Sequence, residues 1–400
     1  MTIQRHFVLA AGGTGGHMVP AHALARELAR RGHRVALITD ERGQRIPGLF
    51  EDIETHVMPA GRVVGGPLGW LKAWAGIRAG RAMARRLYRD FKPTAIVGFG
   101  GYPALPAVLA GLDCGVATAV HEQNAVLGRV NRLLAGRVDA IATAYPVVQR
   151  LKPKFAAKTH LVGNPVREEV KTIGLARFPD YDAGATLRLL ITGGSQGATI
   201  LSSVVPGGLG LLPESVRARL RIVQQCRPED IEGVRAEYKR LDVAAELTTY
   251  LEDLPSVLAA SHLVIARAGA STIAELTVAG RPAILIPLPS AMDDHQTANA
   301  REMAEAGGAR AIAQPQFAPE RLASEIMALA GDPEILIAAA AHAKACGRPR
   351  ATEDLADLIE GFGRTPVMDA IGNHRPAKAK VVPGLAVGGA TRAPSATGSM

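Results

Sequence analysis

The chain has 400 residues, 48% of them hydrophobic and 21% charged, which is ordinary for a globular protein and enough for two cores of about 150 to 180 residues each. No apolar run reaches the roughly 20 residues needed to cross a bilayer, and the N-terminus opens on a strand-like segment rather than a signal peptide, so a cytoplasmic protein is expected. The formal charge of +9 calls for a negative partner, but aromatics make up only 4% and no nucleic-acid motif occurs, which favours an anionic membrane surface over nucleic acid.

His6–Ala11 reads as a buried strand that runs into the glycine turn Gly12-Gly13-Thr14-Gly15-Gly16, with His17 at the mouth of a helix over residues 19–31. The dinucleotide fingerprint Gly-x-Gly-x-x-Gly would need glycine where Met18 stands, and Asp40, ending the next strand at 34–39, is the one feature in its favour. No Gly-x4-Gly-Lys-Ser/Thr loop occurs either, which excludes P-loop chemistry. Residues 69–92 collect both tryptophans, Trp70 and Trp74, with Leu71, Ile77, Met83 and Leu87, and interleave them with Lys72, Arg78, Arg81, Arg85, Arg86, Arg89 and Lys92. An apolar face carrying aromatics beside a basic one suits an anionic membrane surface, and equally suits a helix packed on a sheet with a solvated basic rim.

Further strands are expected at 94–98, 115–120, 138–143 and 160–162, the first followed by a second turn, Gly98-Phe99-Gly100-Gly101. Gly163-Asn164-Pro165-Val166-Arg167 and the irregular stretch to Gly184 read as hinge and linker. A second series follows at Leu187–Thr192, 221–225, 246–250, Leu263–Ala266 and 283–287, with turns Gly193-Gly194-Ser195-Gln196-Gly197 and Ala268-Gly269-Ala270-Ser271. Short strands alternating with helices imply an α/β protein of parallel sheets: an N-terminal doubly wound domain over 1–165, a linker over 166–184, a C-terminal one over 185–362, and a Pro/Gly/Ala/Ser-rich tail over 363–400 expected to be disordered.

A glycine turn between strand and helix exposes backbone N–H groups at the positive end of the helix dipole, where phosphate binds. Two such turns in each half point to a two-lobed enzyme that grips a phosphorylated ligand and a second substrate in the cleft between its lobes. Ser195 with the N–H groups of Gln196 and Gly197 can hold a diphosphate, and the helix start at Ala270, Ser271 and Thr272 adds a second positive end. Asp180-Tyr181-Asp182 matches the letters of a divalent-metal motif but lies in the linker, so no metal and no cofactor are expected. Cys114, Cys226 and Cys346 have neither paired nor metal-ligand spacing.

In this order, Gly12-Gly13-Thr14-Gly15-Gly16-His17, Gly98-Phe99-Gly100-Gly101-Tyr102-Pro103, His121-Glu122-Gln123-Asn124, Gly163-Asn164-Pro165-Val166-Arg167, Gly193-Gly194-Ser195-Gln196-Gly197-Ala198, Arg267-Ala268-Gly269-Ala270-Ser271-Thr272 and Asp294-His295-Gln296 form an array. It resembles the MurG family of peptidoglycan N-acetylglucosaminyltransferases, glycosyltransferase family 28, over roughly residues 5–360. The resemblance implies a GT-B fold of two Rossmann-like domains, UDP-N-acetylglucosamine (UDP-GlcNAc) as donor, and as acceptor lipid I, the undecaprenyl-pyrophosphoryl-N-acetylmuramoyl pentapeptide. It also implies a peripheral place on the cytoplasmic face of the bacterial inner membrane. A UDP-GlcNAc 2-epimerase and a non-catalytic UDP-sugar-binding subunit are the competing readings.

By the same resemblance Glu275 receives the ribose hydroxyls, the backbone of Leu251 contacts uracil, Arg167 lies near the nucleotide and Gln296 meets the donor sugar. Asn124 with Thr14, Gly15 and Gly16 reaches that sugar from the other lobe, and Gly100, Gly101 and Tyr102 receive the acceptor diphosphate. Inverting transfer needs a base for the attacking hydroxyl but no covalent intermediate. His17 is the first candidate because neutral imidazole accepts a proton near pH 7; Glu122 and then His121 are its rivals.

Overall fold

Thirteen short strands fall into two wholly parallel sheets among the residues described by the computed structural model, which are 3–362 except 14, 47–48, 59–66, 183 and 195–196, with the side chains of 67–72 also left aside. The tail expected over 363–400 lies outside them. The first sheet holds β1 (His6–Ala11), β2 (Arg34–Asp40), β3 (Glu54–Met58), β4 (Ala95–Gly100), β5 (Ala117–Glu122), β6 (Ala140–Thr143) and β7 (Thr159–Leu161), in the order β3-β2-β1-β4-β5-β6-β7. The second holds β8 (Leu187–Thr192), β9 (Leu220–Gln225), β10 (Ala244–Thr248), β11 (Leu263–Ala266), β12 (Ala283–Leu285) and β13 (Ala309–Ala311), in the order β10-β9-β8-β11-β12-β13. Parallel strands require crossovers, and helices fill them on both faces. Successive residues of β1 therefore enter different cores, Phe7, Leu9 and Ala11 on one side and Val8 and Ala10 on the other.

In each sheet the strand order reverses once, between β1 and β4 and between β8 and β11. Crossover helices leave such a point in opposite directions and open a crevice beyond the carboxyl ends of the flanking strands. The first, third and fourth glycine turns follow β1, β8 and β11, whereas β4 runs on through Gly98, Phe99 and Gly100, so that only Gly101 of the second lies beyond its strand. The Gly15–Arg30 helix starts at Gly15 rather than Val19, because the first turn passes straight into it.

Two edge strands, β3 and β13, were not expected. β3 begins Glu54-Thr55-His56 and β13 is only Ala309-Arg310-Ala311, so neither offers an apolar run. The last helix, Ala351–Gly361, departs from the chain-order division that puts it in the C-terminal domain: Leu355, Ala356 and Ile359 are fully buried with Phe7, Leu24 and Leu28 of the first lobe. Polar contacts reinforce this return. Arg31 binds Glu27 (2.7 Å) and Glu360 (2.8 Å), His33 Nε2 meets Glu360 (2.5 Å), and the Arg5 guanidinium donates to the Glu360 carbonyl (2.6 Å). The chain thus crosses between lobes near Gly163 and again near Arg348. Gly163 has φ +92°, and a Cβ there would stand 2.8 Å from the Arg348 Cβ, so the two crossings touch where a side chain has no room.

Leu355→Ala is expected to destabilise the first lobe by about 2–5 kcal/mol through the cavity it opens. Asp357→Ala, at an exposed ion pair, should cost less than about 1 kcal/mol. Urea unfolding followed by tryptophan fluorescence checks both, since Trp70 and Trp74 both belong to the first lobe.

Candidate functional site

The first and second glycine turns interlock. A Cβ on Gly12 would lie 2.7 Å from Pro103, and one on Gly101 (φ +74°) would lie 2.5 Å from the Gly12 carbonyl oxygen. Asp40, 1% exposed, accepts from the N–H groups of Gly13 (3.0 Å) and Gly43 (2.9 Å). Its carboxylate is thereby committed to holding the turn, which removes the one sign of a dinucleotide site.

His17 stands in the first turn of the Gly15–Arg30 helix, beside Gly15 and Gly16. Its ring lies against Gly100 (φ +99°), where a Cβ would be 3.0 Å from His17 Cε1. Its Nδ1 is 3.0 Å from Gln123 Oε1. His121 is fully buried: Nε2 is 2.9 Å from the Gly163 carbonyl and Nδ1 is 2.9 Å from Gln123 Nε2. Burial drives its pKa down to about 4, with His17 adding to the fall and the Gly163 bond opposing it. His121 is therefore a neutral, occupied ring rather than a base.

Glu122 is also occupied. Its carboxylate is 2% exposed; Oε1 accepts from the Asn124 N–H (3.1 Å) and amide (3.2 Å), Oε2 from the Gly128 N–H (2.8 Å) and the Asn131 amide (2.8 Å). A base needs a lone pair aimed at its substrate, and here four donors fill the carboxylate. Asn124 is likewise engaged, since its Oδ1 accepts from Asn299 (3.0 Å) while its amide donates to Glu122. Tyr102 has a buried hydroxyl without a partner among the described residues, and burial pushes its pKa up.

Thr14 of the first lobe and Ser195 and Gln196 of the second lie outside the described residues. The N–H of Gly197 is already bonded to the Gly194 carbonyl (3.0 Å), so it closes the third turn rather than facing a ligand. The Ala270–Ala279 helix is different. Ile273 is the first residue to donate back, to Gly269 (3.0 Å), so the N–H groups of Ala270, Ser271 and Thr272 precede the helical ladder. Ser271 Oγ and Glu275 Oε1 are buried without hydrogen-bond partners among the described residues. Arg167 Nε lies 3.7 Å from Glu275 Oε1. Burial pushes the Glu275 carboxyl up, Arg167 pulls it down, and Glu169 pushes it further up. Leu251 sits in the turn after β10, half-buried. Gln296 Oε1 accepts from the Leu288 N–H (3.0 Å), which leaves its amide N–H groups for another acceptor.

Residues unread in the sequence join the lobes. Asn299 is fully buried; its Oδ1 accepts from the Ala125 N–H (2.8 Å), and its amide donates to Asn124 (3.0 Å) and to the Ala268 carbonyl (3.3 Å). Asp293 binds Arg132 (2.9 Å) and Arg150 (2.8 Å) across the same boundary. Asn299 lies one helical turn after Gln296, a spacing visible in the sequence, but nothing local says that it faces the opposite lobe. A cavity of about 30 Å³ between the lobes, beside Asn164 and Ala270, is far too small for a sugar nucleotide. A groove of about 580 Å³ around Arg188, Arg221 and Glu246 contains none of these residues.

The family model described as glycosyltransferase family 28 N-terminal domain matches residues 7–143, and that described as the family 28 C-terminal domain matches 188–359. A protein of Erythrobacter litoralis named UDP-N-acetylglucosamine--N-acetylmuramyl-(pentapeptide) pyrophosphoryl-undecaprenol N-acetylglucosamine transferase is 58% identical, covering 96% of each chain. One of the same name from Novosphingobium aromaticivorans is 59% identical over 92% of this chain and 95% of its own. Among solved structures, Acinetobacter baumannii MurG superposes with a TM-score of 0.70 at 30% identity, over 89% of this chain and 99% of that one. A UDP-N-acetylglucosamine 2-epimerase described as putative, from Listeria monocytogenes, reaches 0.64 at 16% identity over 91% and 98%, a likeness of fold alone.

Asn299→Ala leaves the Ala125 N–H buried and unpaired, and is expected to cost about 1–3 kcal/mol. Thr297→Ala on the exposed side of the same helix should stay within about 0.5 kcal/mol, and thermal unfolding of the two variants checks the contrast.

Proposed function

We propose that this chain, which belongs to glycosyltransferase family 28 through both of its lobes, transfers N-acetylglucosamine from UDP-GlcNAc to undecaprenyl-pyrophosphoryl-N-acetylmuramoyl pentapeptide, giving lipid II in peptidoglycan synthesis. The observation that carries this reading is identity of 58% over 96% of the chain with a transferase named for that reaction. The epimerase reading has only a shared fold behind it.

The nucleotide sits on the second lobe. Glu275 accepts the two ribose hydroxyls, Leu251 meets uracil through its backbone, and Arg167 lies alongside. The N–H groups of Ala270, Ser271 and Thr272, which precede the helical ladder at the positive end of their helix, take the diphosphate and stabilise the charge it gains on leaving. Gln296, its oxygen already held by Leu288, donates to the sugar hydroxyls. From the first lobe, Gly15 and Gly16 approach the sugar, while Gly100, Gly101 and Tyr102 receive the acceptor diphosphate. The acceptor hydroxyl attacks the anomeric carbon from the face opposite UDP and gives its proton to His17, so the configuration inverts without a covalent intermediate.

The chain works at the cytoplasmic face of the inner membrane. Among the described residues no single helix is long and apolar enough to span a bilayer. The Pro67–Phe91 helix buries Ala73, Ala84, Tyr88 and Phe91 and leaves Trp74 56% exposed, with the Arg78 guanidinium 4.6 Å from its ring. Arg86 and Arg89 are also exposed, whereas Arg81 and Arg85 share Asp113. A basic, aromatic-bearing face of this kind lies on anionic headgroups. The side chain of Trp70 lies outside those described.

Incubation with labelled UDP-GlcNAc and a lipid I analogue should give a disaccharide-bearing lipid. Epimerised free sugar, or binding without turnover, would contradict the proposal. Because burial raises the Glu275 pKa, its carboxylate forms only above the ordinary glutamate value of about 4.3, and affinity for UDP should rise with pH across that window. In Glu275→Ala, calorimetry should find weaker binding that no longer varies there. Replacing Trp70, Trp74 and Ile77 with Ser should lower co-sedimentation with anionic vesicles while activity on a soluble acceptor stays near normal.

A further inference from the structure

The hydrogen bonds around Gln123 admit one consistent placement of protons. Gln123 Nε2 lies 3.0 Å from the His121 carbonyl oxygen and 2.9 Å from His121 Nδ1. A carbonyl oxygen can only accept, so the amide nitrogen faces it and spends its second N–H on His121 Nδ1. His121 must then carry its proton on Nε2, and that nitrogen is 2.9 Å from another obligate acceptor, the Gly163 carbonyl. Turning the amide over would set its oxygen against the His121 carbonyl, and would demand a proton on His121 Nδ1 that leaves the Nε2 lone pair against the Gly163 carbonyl. Two backbone oxygens therefore agree, and Gln123 Oε1 is the atom presented to His17, 3.0 Å from Nδ1.

We propose that Gln123 is a positioning residue that holds His17 in the Nδ1–H tautomer and so turns an unprotonated Nε2 toward the acceptor hydroxyl. The kinetic half of this inference rests on His17 being the base of the proposed transfer. In that step the acceptor O–H bond breaks as its oxygen bonds to the anomeric carbon. The bond from that carbon to the diphosphate breaks, UDP leaves with the electron pair, and the proton arrives on His17 Nε2. The Nδ1–H to Gln123 bond is the same before and after, so the ring accepts the proton without reorganising its support. Gln123 is 1% exposed, and its other neighbour, neutral His121, is tied to the hinge glycine, so the orientation is set by backbone that joins the two lobes. An amide oxygen also orients the ring without the charge attraction that a carboxylate would add.

The test is the nitrogen spectrum of the full-length protein labelled with 15N-histidine, the His17 signals being assigned by their loss in His17→Gln. Long-range proton–nitrogen correlations should show a protonated Nδ1 and a bare Nε2 for neutral His17, and the reverse for His121. A bare Nδ1 on His17 in the unsubstituted protein overturns the proposal, and that result needs no variant to fold. Gln123→Leu should release His17 to the Nε2–H form and lower kcat on the order of 10- to 100-fold, with little change in KM for UDP-GlcNAc. Gln123→Glu should keep the Nδ1–H form and recover part of kcat, with the acid limb of its pH profile moved to higher pH. An unchanged tautomer in Gln123→Leu would also overturn the proposal. Full activity in His17→Gln, with the tautomer as stated, would overturn the base assignment while the ring geometry stood.

Discussion

Reversal of strand order in a parallel sheet is the constraint from which the site grows. Crossovers between parallel strands are right-handed, so the helices leaving the two central strands must pass to opposite faces, and the carboxyl ends of those strands are left uncovered. This chain builds the arrangement twice, at β1/β4 and at β8/β11. The four uncovered ends carry the four glycine turns. In the first lobe the turns are packed so closely that Gly12 and Gly101 have no room for a methyl group. In the second, the start of the Ala270–Ala279 helix retains N–H groups that no carbonyl of its own ladder can reach.

Polar contacts align the lobes beside a small apolar cluster of Ala298 against Ala125, Val126, Ala144 and Tyr145. Asn299 and Asp293 lie on either side of Gln296 and both reach the first lobe, so the segment that carries Gln296 is held from the opposite lobe. Arg150, Asp293 and Asp294 all adopt left-handed backbone, with φ of +65°, +57° and +52°. Such conformations cost non-glycine residues about 1 kcal/mol or more each. The Arg150–Asp293 ion pair joins two of them directly across the lobe boundary.

Much of the fold was legible because buried parallel strands read as short apolar runs between glycine turns. The edge strands β3 and β13 were not, since Glu54, His56 and Arg310 break any such run. The place of the Ala351–Gly361 helix could not be read either, because its Leu355 and Ile359 pattern states that one face is buried without stating which lobe buries it. At the site, residue types pointed to loops but not to which groups the fold leaves free. In the sequence Glu122 and His121 stand as rivals to His17 for the base; the four donors around one and the burial of the other are visible only in the fold. Gly197 and Asn124 offer groups that the fold has already used. Gln123 gave no sign of its own, because an amide orients a neighbour through geometry and not through charge.

The central claim is that both pairs of turns face one cleft, with the nucleotide on the second lobe and His17 opposite the sugar. A crystal structure with intact UDP-GlcNAc bound tests it most directly. The account predicts the ribose at Glu275, the diphosphate at the N–H groups of Ala270 to Thr272, and the anomeric carbon turned toward His17 Nε2. A nucleotide bound to the first lobe, or a sugar directed away from His17, would contradict it.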